Sequence, residues 1–498
     1  MKDKQLNFRR SVHCKISAML LLLAVGMQSS FSAGWAGEPI TTISGQIQPG
    51  DKPDTLVFSY LRNYLYNLIG EEQTVVVCDK QGRFNLAIAQ ASSIGRLNIL
   101  VKGSLVGRSL HHYLQKGDAI NLVIQRGSKG LVFDFSGIGA GKLSAKNRLD
   151  SLTAQTVASM RNMPELTHQT GLSPSETLAV TFKRTDYMAK RKLELLKEMQ
   201  DDMPESIYEL MRVDIQSYCL ERKYFNYWFA AKRNTLKADE QHLKAKFFEL
   251  ESIVFPRADR ALFRISYDYM ELLQRVAMVR DFFYGNKGLA HTYQLLKYGS
   301  PFAVRDRAIT SYLLSNPKLA KAGEYEDCIR DAVATVKDSL DRKVVLQLLA
   351  AYRTGSQLGD YALTKTDGSS FSISEVSEKV LLVDFWFSGC TSCIKQTDQI
   401  NRNIIPKLKA ANSPVAILSV NLDKKRERWK ESVQGGKYII KGSIELFTGG
   451  LAFAHPMAKF YQVQSCPRLM VFDQKGNLVA SDPDLGKLVS LIDSLVEK

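Results

Sequence analysis

The sequence predicts an α+β multidomain chain: an N-terminal antiparallel β-sandwich, a central all-α domain and a C-terminal α/β domain. Three observations carry this. Between about 40 and 136, apolar and polar residues alternate with a period of two. From about 143 to 352 the period becomes helical. After Asp360 an apolar run of strand length leads into Cys390-Thr391-Ser392-Cys393 and then into a helical pattern. The 498 residues correspond to three domains at roughly 150 residues each. The expected divisions are a targeting segment at 1–36, the sandwich at 37–140, the helical domain at 141–356 and the α/β domain at 357–498.

The targeting segment has three parts. Lys2, Lys4, Arg9, Arg10 and Lys15 form a basic stretch, Ala18 to Gly26 a short apolar core, and Gly34-Trp35-Ala36 a small-x-small site. Cleavage is expected before Gly37. The apolar run falls short of the roughly 18–20 residues a membrane span needs, so an uncleaved anchor is the lesser reading. Cys14 precedes the core and is misplaced for lipid attachment. No later run is long and apolar enough to span, so the mature chain is expected in the periplasm or cell envelope, where disulfides persist.

Hydrophobic content of 45% and charged content of 24% exclude disordered and collagen-like classes. The formal charge is +16, and loss of the targeting segment lowers it by four. Runs such as Lys190-Arg191-Lys192 fit a solvated basic helical surface, with anionic envelope components or acidic clients as the alternative. No nucleic-acid motif is present.

In the sandwich, Phe84, Leu86 and Ile88 alternate with Asn85 and Ala87, and Ile120, Leu122 and Ile124 with Asn121, Val123 and Gln125. Asp79-Lys80-Gln81-Gly82 and Lys116-Gly117-Asp118 are turn signals. With a Ser44-Gly45-Gln46-Ile47 opening, a Gly82-Arg83-Phe84 hairpin and a closing Phe135-Ser136-Gly137, the segment resembles the small β-domain that often precedes thioredoxin-like domains in Bacteroidota envelope proteins. That resemblance implies no catalytic role.

Seven or eight helices are expected next. Ile207, Leu210, Met211 and Ile215 share a face, as do Leu262, Ile265, Tyr269 and Leu272. Breakers fall at Met203-Pro204, Phe255-Pro256, Tyr284-Gly285, Ser300-Pro301 and Asn316-Pro317. Tyr224, Phe225, Tyr227, Trp228 and Phe229 are read as core or domain-seam packing ahead of a client groove.

The chemistry lies in the last third. Val380 to Phe387 is an apolar strand, followed by Cys390 and Cys393 at the start of a helix. A thiolate is the nucleophile in disulfide exchange, and a helix N-terminus stabilises that anion and lowers a cysteine pKa. Cys390 is therefore expected to attack and Cys393, one turn in, to resolve. Half of a zinc site is the competing reading, but no second Cys-x-x-Cys supplies the other ligands.

Val383-Asp384-Phe385-Trp386 before Cys390 and Cys393 resembles the thioredoxin active-site strand. Asp367-Gly368 and Ser372 to Val376, then Val415 to Asp423, Tyr461-x-Val463, Cys466-Pro467 and the Asp473-x-x-Gly476 turn resemble, in order, the TlpA-like branch of extracytoplasmic thioredoxins. The resemblance spans 357–498. It implies a thioredoxin fold and exchange with protein thiol clients, in the reducing or isomerising direction, fed by an upstream electron donor. No cofactor or metal beyond the dithiol is implied. Asp384 takes the place of the buried carboxylate that helps move a proton at the second cysteine, Trp386 packs beside the motif, and Pro467 matches the cis-proline beside which client backbone pairs. Four positions depart from the pattern: Gly389 stands where many relatives have tryptophan, Gln396 replaces a common glutamate, Asp398 a frequent proline, and Cys466 is an uncommon thiol before the cis-proline.

Two rivals remain. A thiol peroxidase needs Pro-x-x-x-Thr-x-x-Cys, whereas Val383 and Phe387 occupy the Pro and Thr positions here. The other is a ligand- or partner-binding protein with a vestigial thiol pair. Among weaker candidates, His455 with the cysteines would make a Cu(I) site, Cys466 is open to passive, resolving and metal-binding roles, and His111-His112 alternate in direction and pair poorly.

Overall fold

The computed structural model describes residues 40–496 except 49–53, 62–70, 89–92, 103–107, 128–129, 168–170, 233–260, 286–287, 318–322, 377–378, 412 and 464. The targeting segment at 1–36 and the Phe255-Pro256 breaker lie outside the described residues.

Eight strands come first: β1 (Thr41–Ile47), β2 (Thr55–Leu61), β3 (Glu71–Val77), β4 (Arg83–Ile88), β5 (Ile94–Val101), β6 (Arg108–Gln115), β7 (Ala119–Gly127) and β8 (Gly130–Ile138). They form two four-stranded sheets, β4-β1-β7-β8 and β3-β2-β5-β6. Strict alternation in β4 and β7 turns Phe84, Leu86, Ile88, Ile120, Leu122 and Ile124 inward, where they pack with Ile43, Phe58 and Leu97 from both sheets. Two corrections follow. The sandwich is not wholly antiparallel, because β1 runs parallel to β7. The intervening chain passes through the other sheet, which frees this pair from the hairpin connection an antiparallel neighbour favours. The Gly82 turn is likewise no hairpin within one sheet; it carries the chain from β3 to β4 across the sandwich. Gly45 sits at the parallel seam, where a Cβ would lie 1.8 Å from the Leu122 carbonyl oxygen.

Eight α-helices follow among the described residues: α1 (Ala140–Met160), α2 (Pro174–Glu198), α3 (Glu205–Lys232), α4 (Tyr267–Phe283), α5 (Leu289–Gly299), α6 (Phe302–Ser315), α7 (Glu324–Thr335) and α8 (Ser339–Tyr352). Ser173 and Glu176 close a capping box at the start of α2, and Ser266 caps α4. That cap splits the expected Leu262–Leu272 face, since 261–265 is a 3₁₀ turn. Tyr224 and Tyr227 are buried in the helical core. The same core takes in Ile94 and Tyr113 from the sandwich. Asp214 of α3 receives Arg96 at 3.1 Å, Tyr113 at 2.5 Å and Ser266 at 2.5 Å.

The last part is a seven-stranded sheet, β10-β9-β13-β12-β11-β14-β15. Its elements in chain order are β9 (Leu363–Lys365), β10 (Ser370–Phe371), β11 (Val380–Trp386), α9 (Thr391–Asn403), α10 (Ile405–Ala410), β12 (Val415–Asn421), α11 (Arg426–Gln434), β13 (Ile444–Phe447), α12 (Pro456–Phe460), β14 (Arg468–Phe472), β15 (Leu478–Ser481) and α13 (Leu488–Val496). The polar segment after α8 adds to the β15 edge: Gly355 N–H donates to Leu478 O, Leu478 N–H to Ser356 O, and Leu358 N–H to Gly476 O. Arg468 of β14 reaches the helical part, with its guanidinium 4.7 Å from the Tyr352 ring centroid, and pairs with Asp482 at 2.5 Å.

The start of α1 is tied to the sandwich by a buried ion pair. Lys142 Nζ donates to Asp118 Oδ1 at 2.7 Å and to Gly139 O at 3.0 Å, and Gln115 N–H donates to Asp118 Oδ2 at 2.7 Å. Lys142→Met should cost about 3–5 kcal/mol in denaturant unfolding, because it strands a buried carboxylate. The double variant Asp118→Ala/Lys142→Met should lose clearly less than the single one; equal or greater loss would show that packing of the lysine stem, and not the pair, is what counts.

Candidate active site

Strand β11 is buried on both faces along its whole length. Leu381, Val383 and Phe385 enter the layer that contains Met457 and Tyr461. Val380 and Leu382 enter the opposite layer, beneath Ile400 of α9, Ile404 just past its end, and Leu488 and Ile492 of α13. By the period of two, Asp384 and Trp386 point to this second side.

Beyond Trp386 the chain turns through Ser388 and Gly389, the latter at φ 97°, and enters α9. Cys390 is the N-cap of α9, its sulfur accepting the Cys393 N–H at 3.1 Å. Cys390 and Cys393 are joined by a disulfide with Cα atoms 5.3 Å apart. Below them Trp386 stacks on Tyr438 with ring centroids 4.7 Å apart, and the Tyr438 hydroxyl accepts the Gly389 N–H at 2.8 Å. Asp423, just past β12, accepts from Ser388 N at 3.1 Å and from the Ser388 hydroxyl. It is the cap that shapes the turn before Cys390, and sequence reading took it only as the end of a strand.

Cys466-Pro467 is a cis peptide bond. Cys466 is half-buried against the Trp386, Cys390 and Cys393 cluster, and its carbonyl accepts from Ser392 Oγ at 3.5 Å. The loop thus lies beside the thiol pair.

Asp384 is 2% exposed. Burial pushes its carboxyl up to about 7, and the negative charge of Glu445 adds to this, while a hydrogen bond from Gln396 Nε2 at 3.1 Å works the other way. Glu445 was not foreseen. It arrives by register: Asp384 lies opposite Ser419 on β12, and Ser419 opposite Glu445 on β13, so all three share one face. Ser419 Oγ accepts from Trp386 Nε1 at 2.8 Å and donates to Glu445 Oε2 at 2.9 Å. The Glu445 carboxyl is itself raised, chiefly by burial.

The other candidates lie elsewhere. His455 is buried as the cap of α12; its Nδ1 accepts from Met457 N at 3.3 Å and its Nε2 lies 3.1 Å from Ala362 O. Those contacts occupy both ring nitrogens with backbone. His112 is buried with Nε2 2.6 Å from Ser109 Oγ, whereas His111 faces outward. Cys78, Cys219 and Cys328 are buried free thiols, and burial raises Cys219 to about 11 and Cys328 to about 12. Such thiols are poor nucleophiles at neutral pH. Among the described residues, no three His, Cys, Asp or Glu side chains are placed to share a metal ion. No described helix is long and apolar enough to cross a membrane.

A central β-strand that hands a Cys-x-x-Cys to a helix N-terminus, with a cis-proline loop alongside, defines the thioredoxin class of fold. Residues 378–478 match the family model described as Thioredoxin-like, and the C-terminal domain is thioredoxin-like. No curated protein matches the chain. Similar solved structures include a thiol:disulfide interchange protein from Bacteroides sp. at 23% identity, covering 30% of this chain and 93% of that one with a TM-score of 0.25. The thioredoxin domain of a thiol-disulfide oxidoreductase from Bacteroides vulgatus aligns at 24% identity over 29% of this chain and 97% of that one, with a TM-score of 0.25. A thioredoxin-like protein from Bacteroides caccae aligns at 15% identity over 46% and 81%, with a TM-score of 0.33.

Two outcomes are expected of the buried carboxylates. From about pH 4, where a solvated aspartate titrates, to about 7, the folded chain holds a proton on Asp384 that the unfolded chain has released, so stability falls as pH rises through this window. Asp384→Asn removes that slope and should stabilise the oxidised protein by roughly 4 kcal/mol at pH 8 and by little at pH 4, read from urea unfolding; an advantage independent of pH would contradict the assignment. Glu445→Gln should move the Asp384 titration, followed by carboxyl NMR, to lower pH. No movement would mean that Glu445 carries no charge when Asp384 titrates.

Proposed function

We propose that the protein is an exported, cell-envelope thiol–disulfide oxidoreductase that exchanges dithiol for disulfide with protein clients, in the reducing or isomerising direction. The observation that carries this reading is the position of Cys390: its sulfur caps a helix and accepts the Cys393 N–H. A thiolate there gains the helix field and a donor already aimed at it. The basic, apolar and small-x-small order of residues 1–36 supports export.

The reaction runs in two displacements. The Cys390 thiolate attacks a client disulfide, forming a Cys390–client bond and releasing the client's other sulfur as a thiolate. Cys393 then loses its proton, attacks Cys390, and releases the second client sulfur. Two electrons pass to the client, and the Cys390–Cys393 disulfide is reduced again by an upstream dithiol. Asp384, beneath α9 and near neutrality in its proton affinity, is the group that takes the Cys393 proton. Pro467 borders the surface on which client backbone lies beside Cys390. Phe387 and Val383 in place of the peroxidase Thr and Pro leave that activity without its anchoring residues.

The test is exchange with a disulfide-linked fluorogenic peptide. Cys390→Ser should reduce the rate to that without protein. Cys393→Ser should leave a long-lived mixed disulfide on Cys390, recoverable from cells with its client attached. Full turnover by Cys390→Ser, or turnover no faster than a free dithiol gives, would falsify the proposal and favour a binding protein with a vestigial pair.

A further inference from the structure

Gly389 leaves a gap beside Cys390, and the gap is filled from another element. A Cβ at Gly389 would meet Arg428 Nη2 at 3.3 Å, and the same nitrogen donates to the Ser388 carbonyl at 2.8 Å. Arg428 thus lies along the rim of the thiol pair where a side chain of residue 389 would otherwise stand. Its segment is fixed there at both ends. Asp423 binds Ser388, Leu422 N–H donates to Trp386 O at 2.8 Å, and Trp429 is fully buried and stacks on Phe447 with centroids 5.1 Å apart.

Between those anchors the chain reads Lys424, Lys425, Arg426, Glu427 and Arg428, with Lys430 after Trp429, and all of these side chains are exposed. Two bases elsewhere on this domain pair with carboxylates, Arg402 with Asp398 at 2.8 Å and Lys365 with Glu375. Among the described residues, none of the five bases from 424 to 430 forms an ion pair with a carboxylate. Asp423 is turned inward on Ser388 and Asn421. The five bases outnumber the exposed carboxylates of the same segment, Glu427 and Glu431, by three, and Arg428 is the one set beside Cys390.

We propose that this rim selects clients whose reactive cysteine is flanked by acidic residues, with Arg428 as the specificity-determining contact. The inference rests on the disulfide-exchange reading of the same site. A field of this kind acts chiefly on encounter and register, and weakens as salt shortens its range to a few ångströms.

The test uses the full-length protein and three disulfide peptides that differ only in the residues flanking cysteine: Glu, Lys or uncharged Ser. The readout is the ratio of kcat/KM for the Glu and Lys peptides, which cancels any general effect on the chemistry. At low ionic strength the natural protein should favour the Glu peptide by about tenfold, and the ratio should approach one near 1 M salt. Arg428→Ala should lower the ratio several-fold, Arg428→Lys should keep most of it, and Arg428→Glu with Lys425→Glu should invert it. A ratio near one for the natural protein, or one that these variants leave unmoved, overturns the inference. Binding of the same peptides with Ser in place of Cys, read by fluorescence anisotropy, separates the two readings. Acid-selective binding without turnover of any peptide keeps the rim and rejects the oxidoreductase. Turnover without selective binding does the reverse.

Discussion

Val380–Trp386 is covered on both faces and paired on both edges, parallel to β12 and antiparallel to β14. Each of its aliphatic and aromatic side chains contributes roughly 1.5–3 kcal/mol by leaving water, and no backbone group is free to drift. The end of the strand is consequently held rigid, and that end is where the chain turns into α9 with Cys390 as its cap. The same burial isolates the one charged residue of the strand. A carboxyl placed among apolar layers retains its proton to near neutrality, at some expense to stability once it ionises.

Sheet register distributes this constraint sideways. Because Asp384, Ser419 and Glu445 occupy one cross-strand row, a second carboxylate acts on the first from two strands away. The Ser419 hydroxyl links that carboxylate to the indole beneath the disulfide. On the other side, β14 carries Arg468 directly after Pro467, and its guanidinium sits against Tyr352 at the end of α8. The segment that leaves α8 adds to β15. The helical part is therefore anchored to the strand that follows the cis-proline loop, and the sandwich is anchored to the helical part through Asp214.

Much of this was legible in the residues alone. The period of two in 84–88 and 120–124, the breakers at Pro204 and Pro301, and the run into Cys390 are local signals, and the elements they mark are present. What failed was pairing. Alternation says which side chains face inward but not which strand lies next door, so the parallel β1·β7 pair and the sheet crossing at Gly82 had no local signature.

The sequence by itself determined the chemistry available: two cysteines three apart at a strand-to-helix junction, an aspartate in an apolar strand, and a proline after Cys466. Those depend on spacing and on side-chain type, which the chain carries without being folded. Only the tertiary structure decided what surrounds them. Glu445 is brought behind Asp384, Asp423 onto Ser388, and Arg428 over Gly389 from positions 35 to 61 residues away. Such neighbours depend on register and on helix placement, which are set by the packing of the whole sheet and leave no period in the sequence to read.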